Sequence, residues 1–443
     1  MGVRFGLAKV TGAALTWGLR DVLGRSAGNM PGKMALYVDP ALIGHLRSRL
    51  QKGSIVVVGT NGKTTVTNLV ADAIEASGQT VMCNRGGANL DSGVATTMLQ
   101  SAGADWGVFE SDELWLARIL PQLQADYVVL LNLFRDQEDR MGGIERIRES
   151  IVGALAASPN TTLIYTADDP QCAAIAAACE NPRIAVGVGE DMGLARLGAE
   201  EAAACTRCGA PLTYGVRQYD QLGDFCCEAC GFTRPELGLA ARRVRIDGAG
   251  LRFAVAEGPA EIAEIAYAQG AAYLIYNLLS AFVAARAAGV SAQTFQDAAS
   301  AFNPKNGRLQ RYEVQGRSVL LNLAKNPTGM NENIRLVLAD GGPKAVAFFV
   351  NDKEGDGRDI SWLEEVAFEV LADSGQVVAF AGGLRRDDLA ARLERAGLSA
   401  RVVEGIEDVL AALPETALPA DAPVYAIANY TALPEVKAVL DRL

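Results

Sequence analysis

The sequence reads as an α/β protein with two unequal parallel-sheet domains and a small cysteine-rich module inserted into the first. Three observations carry this expectation. Apolar runs alternate with helical patterns between Ser54 and Thr166. Two Cys-x-x-Cys pairs, Cys205/Cys208 and Cys227/Cys230, interrupt that rhythm. A turn cluster, Asn303-Pro304-Lys305-Asn306-Gly307, is followed by a second round of alternation. Short apolar runs bounded by turn residues suit strands buried on both faces, and the helices between them provide the crossovers of a doubly wound sheet.

Residues 1–50 form a helical lead-in broken at Pro31-Gly32, with an amphipathic helix expected over 40–51. Ser54-Ile-Val-Val-Val58 ends in Gly59 and reads as a buried parallel strand; a helical pattern follows from Lys63 to Ser77. Further strands are expected at Trp106–Glu110, Tyr127–Asn132 and Thr162–Thr166. Residues 203–234 are the insertion, residues 237–257 return to strand, and Ala271–Ala288 is a helix rich in Ala and Leu. The turn cluster divides the chain into domains 1–302 and 303–443. Beyond it, strands are expected at Val319–Leu323, Ala345–Val350, Gln376–Ala381 and Pro423–Ala428, with no internal repeat and no low-complexity tail.

At 443 residues the chain exceeds one ordinary core, and 50% hydrophobic with 21% charged residues is a globular composition. A net charge of -11 argues against a non-specific nucleic-acid binder, which needs clustered cations. No apolar run reaches the roughly 18 to 20 residues of a membrane span. Met1–Leu19 is interrupted by Arg4, Lys9 and several Gly and lacks a cleavage pattern, so it does not read as a signal peptide. Gly6 stands where a myristoylation signal needs Ser or Thr. Five of the eight cysteines fall between Cys205 and Cys230, which favours metal over disulfides and a reducing cytoplasm. His45 is the only histidine, which excludes any internal mechanism needing two.

The sharpest motif is Gly59-Thr60-Asn61-Gly62-Lys63-Thr64-Thr65, between a strand and a helix. It has two residues between the glycines rather than the four of the general phosphate-loop pattern, but the physics is unchanged. Glycines let backbone N–H groups approach phosphate, the helix N-terminus favours anions, the lysine reaches the terminal phosphates, and Thr64 can offer its hydroxyl to Mg²⁺. The motif predicts ATP binding. Glu110, ending an expected strand, is the leading Mg²⁺ carboxylate, with Asp112 and Glu113 following. An acidic strand end alone is usually a solvated loop; the upstream phosphate loop makes the metal reading the better one.

Cys205-Thr-Arg-Cys208 and Cys227-Glu-Ala-Cys230 are separated by 18 residues, a zinc-ribbon spacing, and Gly209 and Gly231 follow each pair as tight knuckles require. Cys226 competes with Cys227; Cys227 is preferred because it makes both halves equivalent. Four thiolates leave no open position, so such a Zn²⁺ is structural.

The phosphate loop resembles that of the Mur ligase superfamily, and the resemblance runs over nearly the whole chain. Within that superfamily the chain is most similar to the MurT family, the ligase subunits of lipid II isoglutaminyl synthases. Asn132-Leu-Phe-Arg-Asp-Gln-Glu-Asp-Arg140, Ala167-Asp168-Asp169-Pro170, Tyr276-Asn277, Gly307-Arg308 and Asn322-Leu-Ala-Lys-Asn-Pro-Thr-Gly-Met-Asn331 carry it. So do the cysteine insertion, Asp356-Gly-Arg-Asp359-Ile-Ser-Trp362 and Asn429-Tyr430-Thr431. Two positions depart: Gly270-Ala-Ala-Tyr-Leu-Ile replaces the usual Gly-x-Phe-Asn before Tyr-Asn, and Thr166 stands where Asn is common. About fifty residues precede the loop, so the UDP-binding domain of standard Mur ligases is not expected.

The resemblance implies a Mur-ligase-like ATP-binding domain followed by a smaller C-terminal domain. It implies that Asn277 lies by the adenine and that Arg308 joins Lys63 and Mg²⁺ in stabilising the transferred phosphoryl group. The implied reaction is ATP-dependent amidation of the α-carboxylate of D-glutamate in lipid II to D-isoglutamine, through an acyl phosphate, in peptidoglycan biosynthesis. Ammonia would come from a GatD-like glutaminase in a heterodimer, with Asp359 orienting the partner's histidine. The implied location is the cytoplasm, at the inner face of the membrane. Two rivals remain: a Mur or folylpolyglutamate-type ligase that joins an amino acid to a carboxylate, and a zinc-ribbon interaction or nucleic-acid module with a vestigial ATPase. The latter needs a basic stripe, and residues 203–234 carry only Arg207, Arg217 and Arg234.

Overall fold

The computed structural model describes residues 2–19, 28–134, 143–194, 197, 203–247, 250–303 and 307–443. The expected Arg135–Arg140 part of one motif, and Pro304, Lys305 and Asn306 of the turn cluster, lie outside these residues.

The first sheet is organised by β1 (Leu50–Val58), which lies between β3 (Ala104–Glu110) and β4 (Tyr127–Leu130) with both neighbours parallel. Alternate side chains of β1 serve opposite cores. Ile55 and Val57 join α4 (Lys63–Ala76) and the helix Ala272–Ala287, whereas Val56 and Val58 join α3 (Leu42–Leu46) and α6 (Leu116–Leu123). A strand covered on both faces has no polar side, and so it reads as an uninterrupted apolar run.

On the far side of β3 lies β2 (Val81–Cys83), and beyond β4 come β5 (Thr162–Thr166), β6 (Arg183–Val188) and β9 (Leu239–Asp247), all parallel. An antiparallel extension, β10 (Gly250–Glu257) and β11 (Ala260–Tyr267), completes nine strands. The insertion supplies a separate hairpin, β7 (Thr213–Tyr219) and β8 (Leu222–Cys226), between β6 and β9.

The second sheet has six strands in the order β12 (Gln310–Val314), β13 (Arg317–Leu323), β17 (Val424–Ala428), β14 (Lys344–Phe349), β15 (Val377–Gly382), β16 (Ala400–Val402). Only the β12–β13 pair is antiparallel. Among the described residues, no strand of the first sheet follows Tyr267 and none of the second precedes Gln310.

Three sequence expectations are corrected here. The helix expected over 40–51 is only α3 plus a single tight turn at Arg47–Arg49, because Leu50 already pairs with Ala104 at the start of β1. Pro31 does not break the lead-in. It occupies the first turn of α2 (Met30–Val38), where a missing N–H costs nothing, and α1 (Val3–Trp17) ends well before it. The strand region expected to stop at residue 257 continues through β11.

Candidate active site

β1 stops where the chain must turn sharply against β4. Gly59 takes φ +140°, and a Cβ there would lie 2.9 Å from the Asn132 carbonyl oxygen. Asn132 then clamps the loop. Its carbonyl accepts the Thr60 N–H at 2.8 Å, its Oδ1 accepts the Asn61 N–H at 2.9 Å, and its Nδ2 donates to the Asn61 carbonyl at 3.0 Å. Gly62, at φ +91°, ends the loop at the N-terminus of α4; a Cβ there would lie 2.4 Å from Asn277 Oδ1. Asn277, expected by the adenine, therefore packs against the phosphate loop itself.

The predicted metal residues meet. Thr64 Oγ1 donates to Glu110 Oε2 at 2.6 Å, and Asn89 Nδ2 donates to Glu110 Oε1 at 3.1 Å. Asn84 fixes the end of β3, accepting the Glu110 N–H at 2.8 Å and donating to the Glu110 carbonyl at 2.9 Å. Lys63 Nζ lies 3.1 Å from Glu113 Oε1. Burial opposes its charge, but Glu113, Glu110 and Asp112 outweigh that and hold its pKa above the ordinary lysine value. Lys63 is thus a fixed cation at the mouth of a helix N-terminus, an arrangement suited to polyphosphate.

These groups line one wall of a cleft of about 730 Å³. Thr60, Asn61, Gly62, Lys63, Thr64, Thr65, Glu110 and Asn277 reach it from the first sheet, and Arg308 faces them from the start of the second. Burial lowers the pKa of Arg308 despite Glu110, Tyr430 and Tyr273 nearby, but a guanidinium remains charged at neutral pH. The rest of that wall is not marked as a site by its sequence, although Asn322, Lys325 and Thr328 lie in a segment that carries the family resemblance. Asn322 accepts the Leu309 N–H at 3.0 Å and donates to Asn333 at 2.6 Å, and Glu332 lines the cleft with Lys325 and Thr328. Polar residues at helical spacing on Pro327–Ala339 look like an exposed helix face in sequence; only the tertiary structure shows that Glu332 and Asn333 are buried.

In the insertion, Cys205, Cys208, Cys227 and Cys230 converge with all Sγ atoms within 4.8 Å of one another. Cys205 Sγ lies 3.6 Å from that of Cys230, and Cys208 Sγ lies 3.5 Å from that of Cys227. A tetrahedral thiolate shell with metal–sulfur bonds of about 2.3 Å has sulfur–sulfur edges of about 3.8 Å, so the donor set fits Zn²⁺. Cys226 is not part of this converging group.

The Asp168-Asp169 turn brackets this module to the sheet. Asp168 accepts from Arg234 at 3.1 Å, from the Val188 N–H at 2.8 Å and from Tyr276 Oη at 2.8 Å. Asp169 caps the helix Pro170–Ala178 through the Gln171 N–H at 2.8 Å, and also accepts from the Leu133 N–H and the Gln221 side chain. Burial raises both carboxyls, Asp168 to about 6 and Asp169 to about 7, against these donors.

Asp359 lies outside the cleft and is exposed. Its oxygens accept from the Ser361 N–H at 2.8 Å and Ser361 Oγ at 2.9 Å, just ahead of the turn Ser361–Glu365, and these donors lower its pKa. The loop that carries it is anchored where Asp356 accepts the Thr431 N–H at 2.8 Å, so two separate C-terminal motifs meet in space.

A phosphate-loop sheet facing a smaller α/β domain across a polar cleft defines an ATP-dependent ligase of the Mur type. Residues 57–206 match the Mur ligase middle domain family, and residues 323–433 match the MurT ligase C-terminal family. Among solved structures, the pseudomurein peptide ligase type C from Methanothermus fervidus superposes with a TM-score of 0.69 at 17% identity, covering 90% of this chain and 80% of that one. The folylpolyglutamate synthase of Mycobacterium tuberculosis complexed with ADP gives 0.62 at 16% identity, covering 91% and 94%. The MurT subunit of the glutamine-hydrolyzing lipid II isoglutaminyl synthase of Streptococcus pneumoniae is 30% identical over 428 residues, 94% of this chain and 93% of its own. This chain belongs to the MurT family.

Glu332 yields a pH test. Burial pushes its carboxyl up to about 7, against the pull of Arg335 at 2.8 Å. Between the ordinary glutamate range and pH 7 the folded chain keeps a proton that the unfolded chain has released, so stability falls as pH rises through that window. Glu332→Gln removes the titration. The unfolding free energy of the variant minus that of the wild type should climb from pH 5 to 7 and then level off, measured by urea melts. A difference that stays constant across pH would show that Glu332 is ionised throughout.

Proposed function

We propose that this chain is the ligase subunit of an enzyme that amidates the α-carboxylate of D-glutamate in the stem peptide of lipid II, using ATP and ammonia released by a GatD-like glutaminase. The observation that carries the reading is the convergence of Lys63, the Thr64–Glu110 pair and Arg308 on one cleft in a chain of the MurT family. In this reading the chain divides at 302/303, so that each domain contributes one wall.

The carboxylate oxygen attacks the terminal phosphorus of ATP, the bond to ADP breaks, and an acyl phosphate forms. Ammonia then attacks the acyl carbon, inorganic phosphate leaves with the bonding electrons, and a proton is lost to give the amide. The protein's share is positioning and charge stabilisation. The Gly59–Thr65 backbone and the α4 N-terminus cradle the phosphates, while Lys63 and Arg308 oppose charge from the two walls. Thr64 and Glu110 would hold Mg²⁺, which supplies further neutralisation of the phosphates. The four cysteines would hold one structural Zn²⁺. The reaction belongs at the cytoplasmic face of the membrane, where the lipid-linked substrate is exposed. The competing amino-acid-adding reading is separated by the nucleophile: ammonium, rather than an amino acid, should support ATP turnover with lipid II.

Lys63→Ala should lower lipid II-dependent ATP hydrolysis at least about 100-fold while leaving the fold intact by circular dichroism. Wild-type turnover in this variant would defeat the phosphate-loop assignment.

Asp359→Asn should remove glutamine-driven amidation, by up to about 10⁴-fold, while ammonium-driven amidation persists. An exposed carboxylate, oriented by Ser361 and held in its ionised form, suits contact with a histidine on another subunit. A parallel fall of both activities would place Asp359 in the ligase site or the fold instead.

Elemental analysis of the purified chain should find one zinc. Cys227→Ser should lose it and Cys226→Ser should keep it. Metal retention in the first variant and loss in the second would reassign the ligand.

A further inference from the structure

The exposed apolar surface of the described residues is concentrated in one place. Eleven large hydrophobic side chains are exposed, and seven of them, Val3, Leu7, Val10, Trp17, Met30, Met34 and Tyr37, belong to α1 and α2. Their spacing is regular. Val3, Leu7, Val10 and Trp17, with exposed Ala14 between them, fall on a single stripe of α1. The opposite stripe, Phe5, Ala8 and Gly12, is buried. In α2, Met30, Met34 and Tyr37 repeat the pattern, with Pro31, Gly32 and Ala35 turned inward. Val3 is 90% exposed, Trp17 63% and Tyr37 85%, so these are unpartnered faces rather than the edges of a core.

The charge of this segment indicates what the stripes meet. Residues 1–38 contain Arg4, Lys9, Arg20, Arg25 and Lys33 against the single acid Asp21, a net +4 in a chain of net -11. Arg4 and Lys9 are exposed on either side of the α1 stripe, and Lys33 is exposed beside that of α2. Apolar stripes bordered by cations, with Trp and Tyr among them, match an anionic lipid interface: the apolar side chains enter the acyl boundary while the cations stay with the headgroups. No helix of the described residues is long and apolar enough to cross a membrane, so the contact would lie along the surface.

This face is coupled to the cleft. Gly32 lets α2 settle onto α5 (Asp91–Gln100): its N–H donates to Thr96 Oγ1 at 2.8 Å, and a Cβ there would lie 1.9 Å from the Ser92 carbonyl oxygen. Gly86, Gly87 and Asn89, immediately before α5, line the cleft.

We propose that α1 and α2 form a docking surface for an anionic phospholipid membrane, one that holds the cleft near a lipid-linked substrate. The inference rests on the ligase reading for its purpose, whereas the binding of the chain alone to vesicles tests it independently of that reading. The full chain, alone and with its glutaminase bound, is mixed with vesicles of phosphatidylglycerol and phosphatidylcholine, or of phosphatidylcholine alone, without lipid II. Sedimentation should show binding to the anionic vesicles only, weakening as salt rises. The double substitution Leu7→Glu with Trp17→Glu, and the triple substitution of Arg4, Lys9 and Lys33 by Gln, should each reduce binding at least about tenfold. Amidation of a water-soluble lipid II fragment should be unchanged in both variants, whereas amidation of lipid II in vesicles should fall. Failure of the wild type to bind, wild-type binding by either variant, or loss of binding when the glutaminase is present would overturn the proposal. The last outcome would assign the face to the partner. Loss of activity on the soluble fragment in the wild type would count against the ligase reading alone.

Discussion

The close approach of Gly59 to Asn132 is the constraint on which the cleft depends. The backbone leaves a fully buried strand and must turn at once, within contact distance of the neighbouring β4 connection, to bring the helix N-terminus to face solvent. Only a residue without a side chain tolerates φ +140° with a carbonyl oxygen 2.9 Å from the Cβ position. Asn132 then supplies the donors and acceptors that a tight loop cannot provide for itself. Because β1 carries buried side chains on both faces, the loop is also held from two cores at once, so Lys63 and Thr64 start from a rigid platform.

The insertion illustrates a different kind of dependence. Its own apolar cluster is small, centred on Leu212, Phe225 and Phe232 with Cys205 and Cys227. A module of about thirty residues cannot bury enough surface to fold on that cluster alone, and a metal ion held by the four converging cysteines would provide the cross-link it lacks. Its orientation comes from elsewhere: Arg234 and Gln221 reach the buried Asp168 and Asp169, and Thr328 of the second domain donates to Asp220. The cysteine module is therefore tied both to the sheet that carries the phosphate loop and to the opposite wall of the cleft. Taking Asp168 out of water is costly, and Arg234 with the Tyr276 hydroxyl offsets that cost.

Much of this architecture is local in sequence and was legible there. The phosphate loop and both cysteine pairs are contiguous motifs, and the run from Ser54 to Val58 can only be a buried strand or a buried helix, with length and a terminal Gly deciding between them. The preference for Cys227 over Cys226 followed from the symmetry of the two knuckles. Where expectation failed, the causes differed. The helix over 40–51 is cut short because β1 recruits Leu50 to pair with Ala104, whereas Pro31 starts a helix for a local reason, since the first turn needs no N–H there.

The sequence by itself determined which residues could handle phosphate and metal, because a helix N-terminus, a lysine and a thiolate set act through neighbours only a few positions away. Tertiary structure alone decided that Lys63 pairs with Glu113, that Asn277 packs on the phosphate loop, and that Glu332 is buried opposite it. It also decided that α1 and α2 leave their apolar stripes uncovered. Each of these depends on which surfaces meet, and burial is a property of the neighbour as much as of the residue.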